Sequence, residues 1–215
     1  MKLIKGTYIP QLLKLAAEPM LYLPRKNLND LHIFMTGYSN GLDLIRPTAS
    51  PEEEGLWNEF QSFLNSKNGN AANVYLNAFA ASETDEKAWE SFFFELVAYL
   101  SNKSVRVEFC SEEKSILDPN EYHNLLKGII QRPWMYLGCS SLTLFSIFVD
   151  GLLCAESNFS KGAYVQEQWS QFNMRMESVG YPKWKCSWDR KLLLMAGFDD
   201  LKAWTDFIAR INQEA

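Results

Sequence analysis

The chain has 215 residues, of which 47% are apolar and 14% aromatic, and its formal net charge is −5. This composition excludes a disordered chain, which would combine low hydrophobicity with high net charge. The acidic balance argues against direct nucleic-acid binding, because that requires a surplus of Lys and Arg to release counterions from phosphates.

No targeting or metal-binding pattern is present. Residues 1–6 lack the apolar core of a signal peptide, and the most apolar stretch, 142–155, is interrupted by Asp150 and is shorter than the roughly 20 residues that span a bilayer. The four cysteines have neither C-x-x-C spacing nor a histidine partner, which argues against zinc. We therefore expect a cytoplasmic protein with no membrane association, metal or cofactor, and Cys139 and Cys154 are expected to be core thiols.

The first predicted elements are two helices separated by a proline corner. Apolar residues at helical spacing predict a helix from Tyr8 to Ala17, and Pro19 ends it because the residue before a proline is disfavoured in the α conformation. Asn27 is the predicted N-cap of the next helix, whose apolar stripe continues to Tyr38. Asn40-Gly41 predicts the end of that helix.

Three more helices follow in the first half, and one strand is predicted in the connector behind it. Pro51 and the acidic run behind it predict a helix start, since proline fits the first helical position and acids complement the helix dipole. A short helix is predicted over 74–81, and a long one after Thr84. The alternation from Val105 to Phe109 predicts a short strand inside a connector formed by residues 104–117.

The second half repeats this order. A helix over 122–130 ends at Pro133, Gly138 suits a left-handed corner, and Ser140 or Ser141 is the predicted cap of the apolar helix that follows. Further helices are predicted over residues 162–178, over 188–195, and from Asp199-Asp200 onward.

Residue types recur at nearly constant offsets between the halves. The pairs 114 residues apart are Pro19 and Pro133, Tyr22 and Tyr136, Leu28 and Leu142, Phe34 and Phe148, and Gly37 and Gly151. Trp57 and Trp169 are 112 apart, and Trp89 and Trp204 are 115 apart. We therefore predict an all-α fold in which two tandem pseudo-repeats of about five helices, residues 1–103 and 118–215, pack as one helical assembly.

No catalytic set is evident in the sequence. His32 and His123 lack a partner at ligand spacing, and no phosphate-binding or nucleophile motif occurs. The acidic residues stand next to one another in four runs, of which three lie at predicted helix starts and are explained there by the helix dipole, with contact to a partner as the alternative. These acidic candidates for partner binding are Glu52, Glu53, Glu54, Asp85, Glu86, Glu112, Glu113, Asp199 and Asp200.

Arg132 and Trp134 are the remaining candidates for partner binding. Arg132 precedes the second proline corner, where the first half has Glu18, and a structural ion pair is favoured over a binding role. Trp134 stands where the first half has Met20 and is expected to be partly exposed. Exposed Trp and Arg are frequent anchors of protein interfaces.

The string Arg-Pro-x-Met-Tyr-Leu-Gly, followed by Ser-Leu and spaced Phe and Gly residues, resembles a group of small bacterial helical proteins. These are immunity proteins of polymorphic-toxin and contact-dependent growth inhibition systems. In the first half the match is looser, because Glu18 and Pro24 replace the Arg and the Gly. In the second half the matching residues are Leu125, Leu126, Arg132, Pro133, Met135 to Gly138, Leu142, Phe148, Gly151, Trp169, Phe172, Ala203, Trp204 and Phe207.

The resemblance implies a non-catalytic cytoplasmic protein that binds and neutralises a cognate toxin, for which a basic nuclease is one candidate. The acidic balance of this chain is compatible with such a partner. Two alternatives remain open at this point. One is a general interaction or regulatory adaptor without a toxin partner, and the other is an enzyme that uses carboxylates converging between the two halves.

Overall fold

The computed structural model describes residues 1–45, 51–68, 75, 82–110, 117–178 and 187–213. These residues are mostly helical and include one two-stranded sheet, which confirms the predicted all-α character. The chain divides into two compact units, unit 1 with residues 1–35 and 46–113, and unit 2 with residues 36–45 and 114–215. The sequence analysis placed residues 36–45 in the first half, whereas here they belong to unit 2.

Unit 1 contains two strands and four described helices, and a short turn of 3₁₀ helix at Pro19–Leu21 follows the first of them. The described elements are β1 (Lys2–Gly6), α1 (Tyr8–Ala17), α2 (Leu28–Ile45, shared with unit 2), α3 (Pro51–Asn68), α4 (Asp85–Asn102) and β2 (Val105–Phe109). Of the helix predicted over 74–81, only Tyr75 is among the described residues.

The two strands pair in parallel, with Lys2 opposite Val105 and Gly6 opposite Phe109. The predicted strand in 105–109 is therefore confirmed, and it lies in unit 1 together with its partner strand. The partner strand β1 was not predicted, because residues 2–6 are too short and too polar to show an alternating pattern.

A buried carboxylate fixes the start of α1. Glu53, on α3, accepts hydrogen bonds from the backbone N–H groups of Thr7, Tyr8 and Ile9 at 2.7, 3.0 and 2.7 Å. The first N–H groups of a helix have no partner within the helix, and no side-chain cap is present at Thr7. Glu53 is only 4% exposed, so it is an internal helix cap from a distant part of the sequence. Gly6 makes room for it, since a Cβ there would lie 2.3 Å from the carboxyl group.

Unit 2 is built around a long apolar helix. Its further elements are α5 (Pro119–Gln131), the single turn α6 (Pro133–Tyr136), α7 (Leu142–Phe159), α8 (Tyr164–Ser178), α9 (Trp188–Met195) and α10 (Asp200–Gln213). Among the described helices, α7 is the one whose length and mean hydropathy of 1.3 meet the criteria for a membrane span. Of this 18-residue helix, 61% is buried inside the protein, which is typical of a core helix.

Aromatic rings fill the core of unit 2 around Phe145 of α7. The Phe145 ring lies 5.7 Å from Trp169, 5.6 Å from Trp204 and 5.1 Å from Phe207, measured between centroids. Trp169 and Trp188 stack at 4.7 Å. Edge-to-face and offset contacts of this kind stabilise aromatic pairs by about 0.5–1.5 kcal/mol each beyond the burial of their area.

The second part of α2 packs closely on α7 through glycines. A Cβ at Gly37 would lie 2.0 Å from the carbonyl oxygen of Phe148, and a Cβ at Gly41 would lie 2.7 Å from the Cβ of Ala155. The prediction that α2 ends at Asn40-Gly41 was therefore wrong, because the helix continues to Ile45. Gly41 serves close helix packing and does not end the helix.

The two proline corners have the same local geometry. Glu18 has φ −137° and ψ 60°, and Arg132 has φ −138° and ψ 59°. Each is followed by proline and a short turn of helix, and each lies outside the α conformation, which is disfavoured before a proline. Beyond each corner an 18-residue helix begins after a predicted cap. Asn27 accepts from the backbone N–H of Asp30 at 2.8 Å, and Ser141 accepts from that of Leu144 at 3.0 Å.

Two further local features recur at the same offsets. The Tyr22 and Phe34 rings meet edge-on at 6.0 Å in unit 1, and Tyr136 and Phe148 do so at 6.3 Å in unit 2. The caps of the last long helix of each half also correspond. The Thr84 hydroxyl accepts from the backbone N–H of Lys87 at 3.2 Å, and Asp199 accepts from that of Lys202 at 3.0 Å.

Candidate interaction surface

The proline corner of unit 2 presents apolar side chains to solvent. Trp134 is 64% exposed and Met135 is 63% exposed, because the single turn α6 is too short to bury all of its sides. Gly138 follows with φ +76°, the left-handed conformation predicted for it. The expected exposure of Trp134 is thus confirmed, and Met135 joins it.

Arg132 at the same corner is exposed. Among the described residues, no carboxylate lies within 4.0 Å of its guanidinium group, so the favoured structural ion pair was wrong. The corner of unit 2, defined here as Arg132, Trp134 and Met135, therefore offers a cation and two large apolar groups to a partner.

A second apolar feature lies between α9 and α10. The backbone N–H of Gly197 donates to the Leu194 carbonyl at 3.1 Å, and that of Phe198 donates to the Leu193 carbonyl at 2.7 Å. This is the Schellman pattern of a helix C-terminus, in which the residue after the glycine usually packs back on the helix. The Phe198 side chain is instead 75% exposed.

Phe198 also has a strained backbone. Its φ is +65°, a conformation that is uncommon for any residue other than glycine and is an outlier for a bulky one. Such residues cost about 1–3 kcal/mol and cluster at functional sites. An exposed aromatic ring held in this way contributes little to the core, which indicates a role at the surface.

Met195 and Leu201 extend this feature into an apolar ridge, defined here as Met195, Phe198 and Leu201. Met195 is 47% exposed and Leu201 is 62% exposed. The ridge is tied to α7 by Asp200, whose carboxylate accepts from the backbone N–H of Thr143 at 2.9 Å and from its hydroxyl at 3.0 Å. The corner leads directly into the Ser141 cap of α7, so the corner and the ridge lie at the same end of that helix.

The predicted acidic residues are divided between internal roles and the surface. Glu53 is buried as a helix cap, which corrects its assignment to a partner-binding surface. Asp199 and Asp200 cap helices beside the ridge. Glu52, Glu54, Asp85 and Glu86 are exposed at helix starts, and Glu52 pairs with Lys2 at 3.1 Å. Glu112 and Glu113 lie outside the described residues.

Unit 1 has an equally exposed corner, but it differs from unit 2 at one position of the ridge. Met20 and Leu21 are 68% and 72% exposed at the positions that correspond to Trp134 and Met135. At the offset of 115 residues, however, Glu86 stands where the second half has Leu201, and it is charged. The residue at this position of the ridge therefore distinguishes the two halves.

Ion pairs at the surface of unit 1 lower the pKa values of Glu59 and Glu108, and inside the unit the pKa values of two phenols and a histidine are shifted. Burial raises the pKa of Tyr8 to about 12, although a 2.9 Å hydrogen bond with the Tyr75 hydroxyl opposes that shift. Burial also lowers the pKa of His32, whose ring packs on Tyr75 at 5.4 Å. The phenols and the histidine contact each other inside the unit and present no nucleophile to a cleft, so they fit a structural role.

Two carboxyl groups of unit 2 have raised pKa values. Desolvation raises the pKa of Asp43, and desolvation, with the charge of Asp189 second, raises the pKa of Asp150 to about 7, although Asp150 is exposed as a residue. Among the described residues, no group of three His, Cys, Asp or Glu side chains is placed to hold a metal ion. Cys139 is exposed and Cys154 is partly so, which corrects their assignment as core thiols.

The chain has no match among protein-family models, curated proteins or solved structures. The arrangement itself is suited to binding, since its exposed features are apolar anchors beside charged groups. The ridge was missed in the sequence analysis. Its signal is Gly-Phe directly after a short amphipathic helix, where a Schellman cap is expected, but the sequence does not show whether that Phe packs back or points outward.

Proposed function

We propose that the chain is a non-catalytic immunity protein that binds and neutralises a cognate bacterial toxin in the cytoplasm. The observation that carries this proposal is the exposed set of large apolar side chains at one end of α7, namely the corner and the ridge. Isolated exposed apolar residues are common, but a grouped set with a strained aromatic residue is typical of an interaction surface.

We further propose that the chain consists of two tandem pseudo-repeats. The matching φ and ψ of Glu18 and Arg132, the matching caps beyond them and the two edge-on Tyr–Phe pairs support this interpretation. A duplicated scaffold keeps the residues that fold both copies and leaves the others free to diverge. Arg132, Trp134 and Leu201 are among the residues that differ between the copies, and they lie in the corner and the ridge.

Binding would concentrate in a few anchors. In protein interfaces Trp and Arg are enriched among the residues whose truncation costs most, and exposed charges around them steer association. Trp134 and Phe198 are the proposed anchors, with Asp199 as a neighbouring charge. The net charge of −5 would favour a basic toxin such as a nuclease and speed its association.

Co-expression tests the proposal directly. If a toxin-like reading frame lies adjacent to the gene, cells would express its product with or without this chain. We expect growth to be arrested by the toxin alone and restored by the wild-type chain. Purified chain should also form a complex with that product on a sizing column. Failure of both rescue and complex formation with a toxic neighbour would refute the immunity function.

The alternative function, a general adaptor, would use the same surface. It would be favoured if the gene neighbourhood held no toxin and the chain captured a non-toxic partner through Trp134 and Phe198. The test therefore separates the two functions by what the partner does to cells in the absence of this chain.

A further inference from the structure

The two proline corners expose side chains at the same three positions. The corner of unit 1, defined here as Glu18, Met20 and Leu21, matches the corner of unit 2 position by position at the offset of 114 residues. Met20 and Leu21 are 68% and 72% exposed, against 64% and 63% for the two apolar residues at the corner of unit 2. Each unit therefore presents a small apolar surface on the same backbone geometry.

The charged residues of the two corners have opposite signs. Glu18 and Arg132 are both exposed and have the same backbone conformation. Among the described residues, neither side chain has an oppositely charged group within 4.0 Å. An ion pair with another molecule could therefore form at either corner without the loss of an ion pair inside the protein.

A nearby lysine limits the attraction at the corner of unit 1. Lys14 stands one helical turn before Glu18, and its amino group lies 5.5 Å from the centre of the Tyr22 ring. The corresponding residue of the second half is Gly128, which carries no charge. The charge of Glu18 is thus partly offset, and a contact as small as one corner on another gives weak, transient association.

Charge determines which corners can meet. Two unit 1 corners would bring two Glu18 carboxylates together, and two unit 2 corners would bring two Arg132 guanidinium groups together, so like charges oppose both pairings. Unlike corners bring Glu18 to Arg132 and allow Met20 to lie on Trp134, and thioether groups pack favourably on aromatic rings. In this pairing alone, the charges and the apolar groups favour the same contact.

We propose that copies of this chain associate head to tail, through the corner of unit 1 in one molecule and the corner of unit 2 in the next. Such a contact is heterologous, so an associated pair still has a free corner of each kind and can bind further copies. The toxin would compete for the corner of unit 2, but the association itself needs no toxin. Its failure would leave the proposed function untouched.

Sedimentation equilibrium over a concentration series that reaches the high micromolar range tests the proposal. We expect the average mass of the wild type to rise with concentration. Glu18→Arg makes both corners positive and Arg132→Glu makes both negative, so each variant alone should associate at least about tenfold more weakly. Each substitution introduces a residue type that the other corner already carries in the same backbone conformation, so the fold is preserved.

An equimolar mixture of the two variants is the most specific sample. The positive corners of Glu18→Arg face the negative corners of Arg132→Glu, so the mixture should associate although neither variant does alone. Lys161→Glu is the matched control, because it makes the same change of charge as Arg132→Glu at an exposed residue beyond the other end of α7, and it should leave association unchanged. The proposal is overturned if the wild type stays monomeric throughout the series, if either variant alone associates as the wild type does, or if the mixture stays monomeric.

Discussion

At the scale of single residues, side chains of one chemical type take different roles according to what surrounds them. Glu52, Glu53 and Glu54 stand together at the start of α3, where the helix dipole accounts for all three in the sequence. Only Glu53 turns inward, to the first backbone N–H groups of α1. Which member of such a run is buried depends on a tertiary contact across more than 40 residues, and no local pattern reports it.

Glu53→Gln should destabilise the protein by about 2–3 kcal/mol. An amide supplies one acceptor oxygen and places an NH₂ group against backbone donors, so buried N–H groups lose their partners. The free energy of unfolding in urea measures this. Glu54→Gln on the same turn is exposed and should change stability by less than about 1 kcal/mol. Equal effects of the two substitutions would show that Glu53 is not an internal cap.

Asp150 should make stability depend on pH between its ordinary pKa of 3.8 and its folded pKa of about 7. Its pKa is raised to about 7 in the folded protein, above the unfolded value, so the folded state binds the proton more tightly. Stability from this group is therefore present in acid and is lost as the pH rises toward and through 7. Asp150→Asn should raise the melting temperature at pH 8 and have little effect near pH 4. A larger gain at pH 4 than at pH 8 would contradict the assigned shift.

Replacing Phe198, a proposed binding anchor, by glycine should increase the stability of the fold. Phe198→Gly removes a left-handed strain of roughly 1–2 kcal/mol and makes the unfolded chain more flexible at a cost of about 0.4–1 kcal/mol, so we expect a gain of up to about 1 kcal/mol. Ser104→Gly, at the exposed residue with φ +52° in unit 1, is the matched control and should give a similar gain. Urea midpoints measure both. A clear loss at Phe198 would mean that its ring stabilises the fold.

At the scale of elements, the caps and stops were predictable because they are local. Pro19 and Pro133 end helices, Asn27, Thr84 and Ser141 cap them, and each depends only on neighbouring residues. The strand β1 and the continuation of α2 past Gly41 were not predictable in this way. Both depend on a distant partner, β2 in one case and α7 in the other.

The close approach of α2 and α7 can be tested at Gly37. Gly37→Ala places a Cβ 2.0 Å from the Phe148 carbonyl oxygen, so the helices must move apart, and we expect a loss of about 3 kcal/mol. Gly55→Ala on α3 has no heavy atom within 4 Å of the new Cβ and should gain about 0.5–1 kcal/mol. Chemical denaturation compares them, and a neutral Gly37→Ala would refute the close contact.

At the scale of the whole molecule, composition and periodicity predicted the helical class and the apolar core. Within the candidate site, the sequence identified Trp134 as a candidate for partner binding because the first half has Met20 at the corresponding position. The exposure of Trp134 follows from the single helical turn that carries it. The ridge could not be predicted, since the outward direction of Phe198 depends on how α9 and α10 pack in unit 2.

The central claim, that the corner and the ridge of unit 2 bind the partner, is tested most directly by one affinity measurement. The dissociation constant for the toxin that the co-expression test identifies would be measured for the wild type, for Trp134→Ala combined with Phe198→Gly, and for Met20→Ala. Met20 is the matched control, because it is equally exposed at the corresponding corner of unit 1. The loss of two anchors should weaken binding by at least about 100-fold, and Met20→Ala should not change it. Retention of wild-type affinity by the folded double variant would contradict the claim.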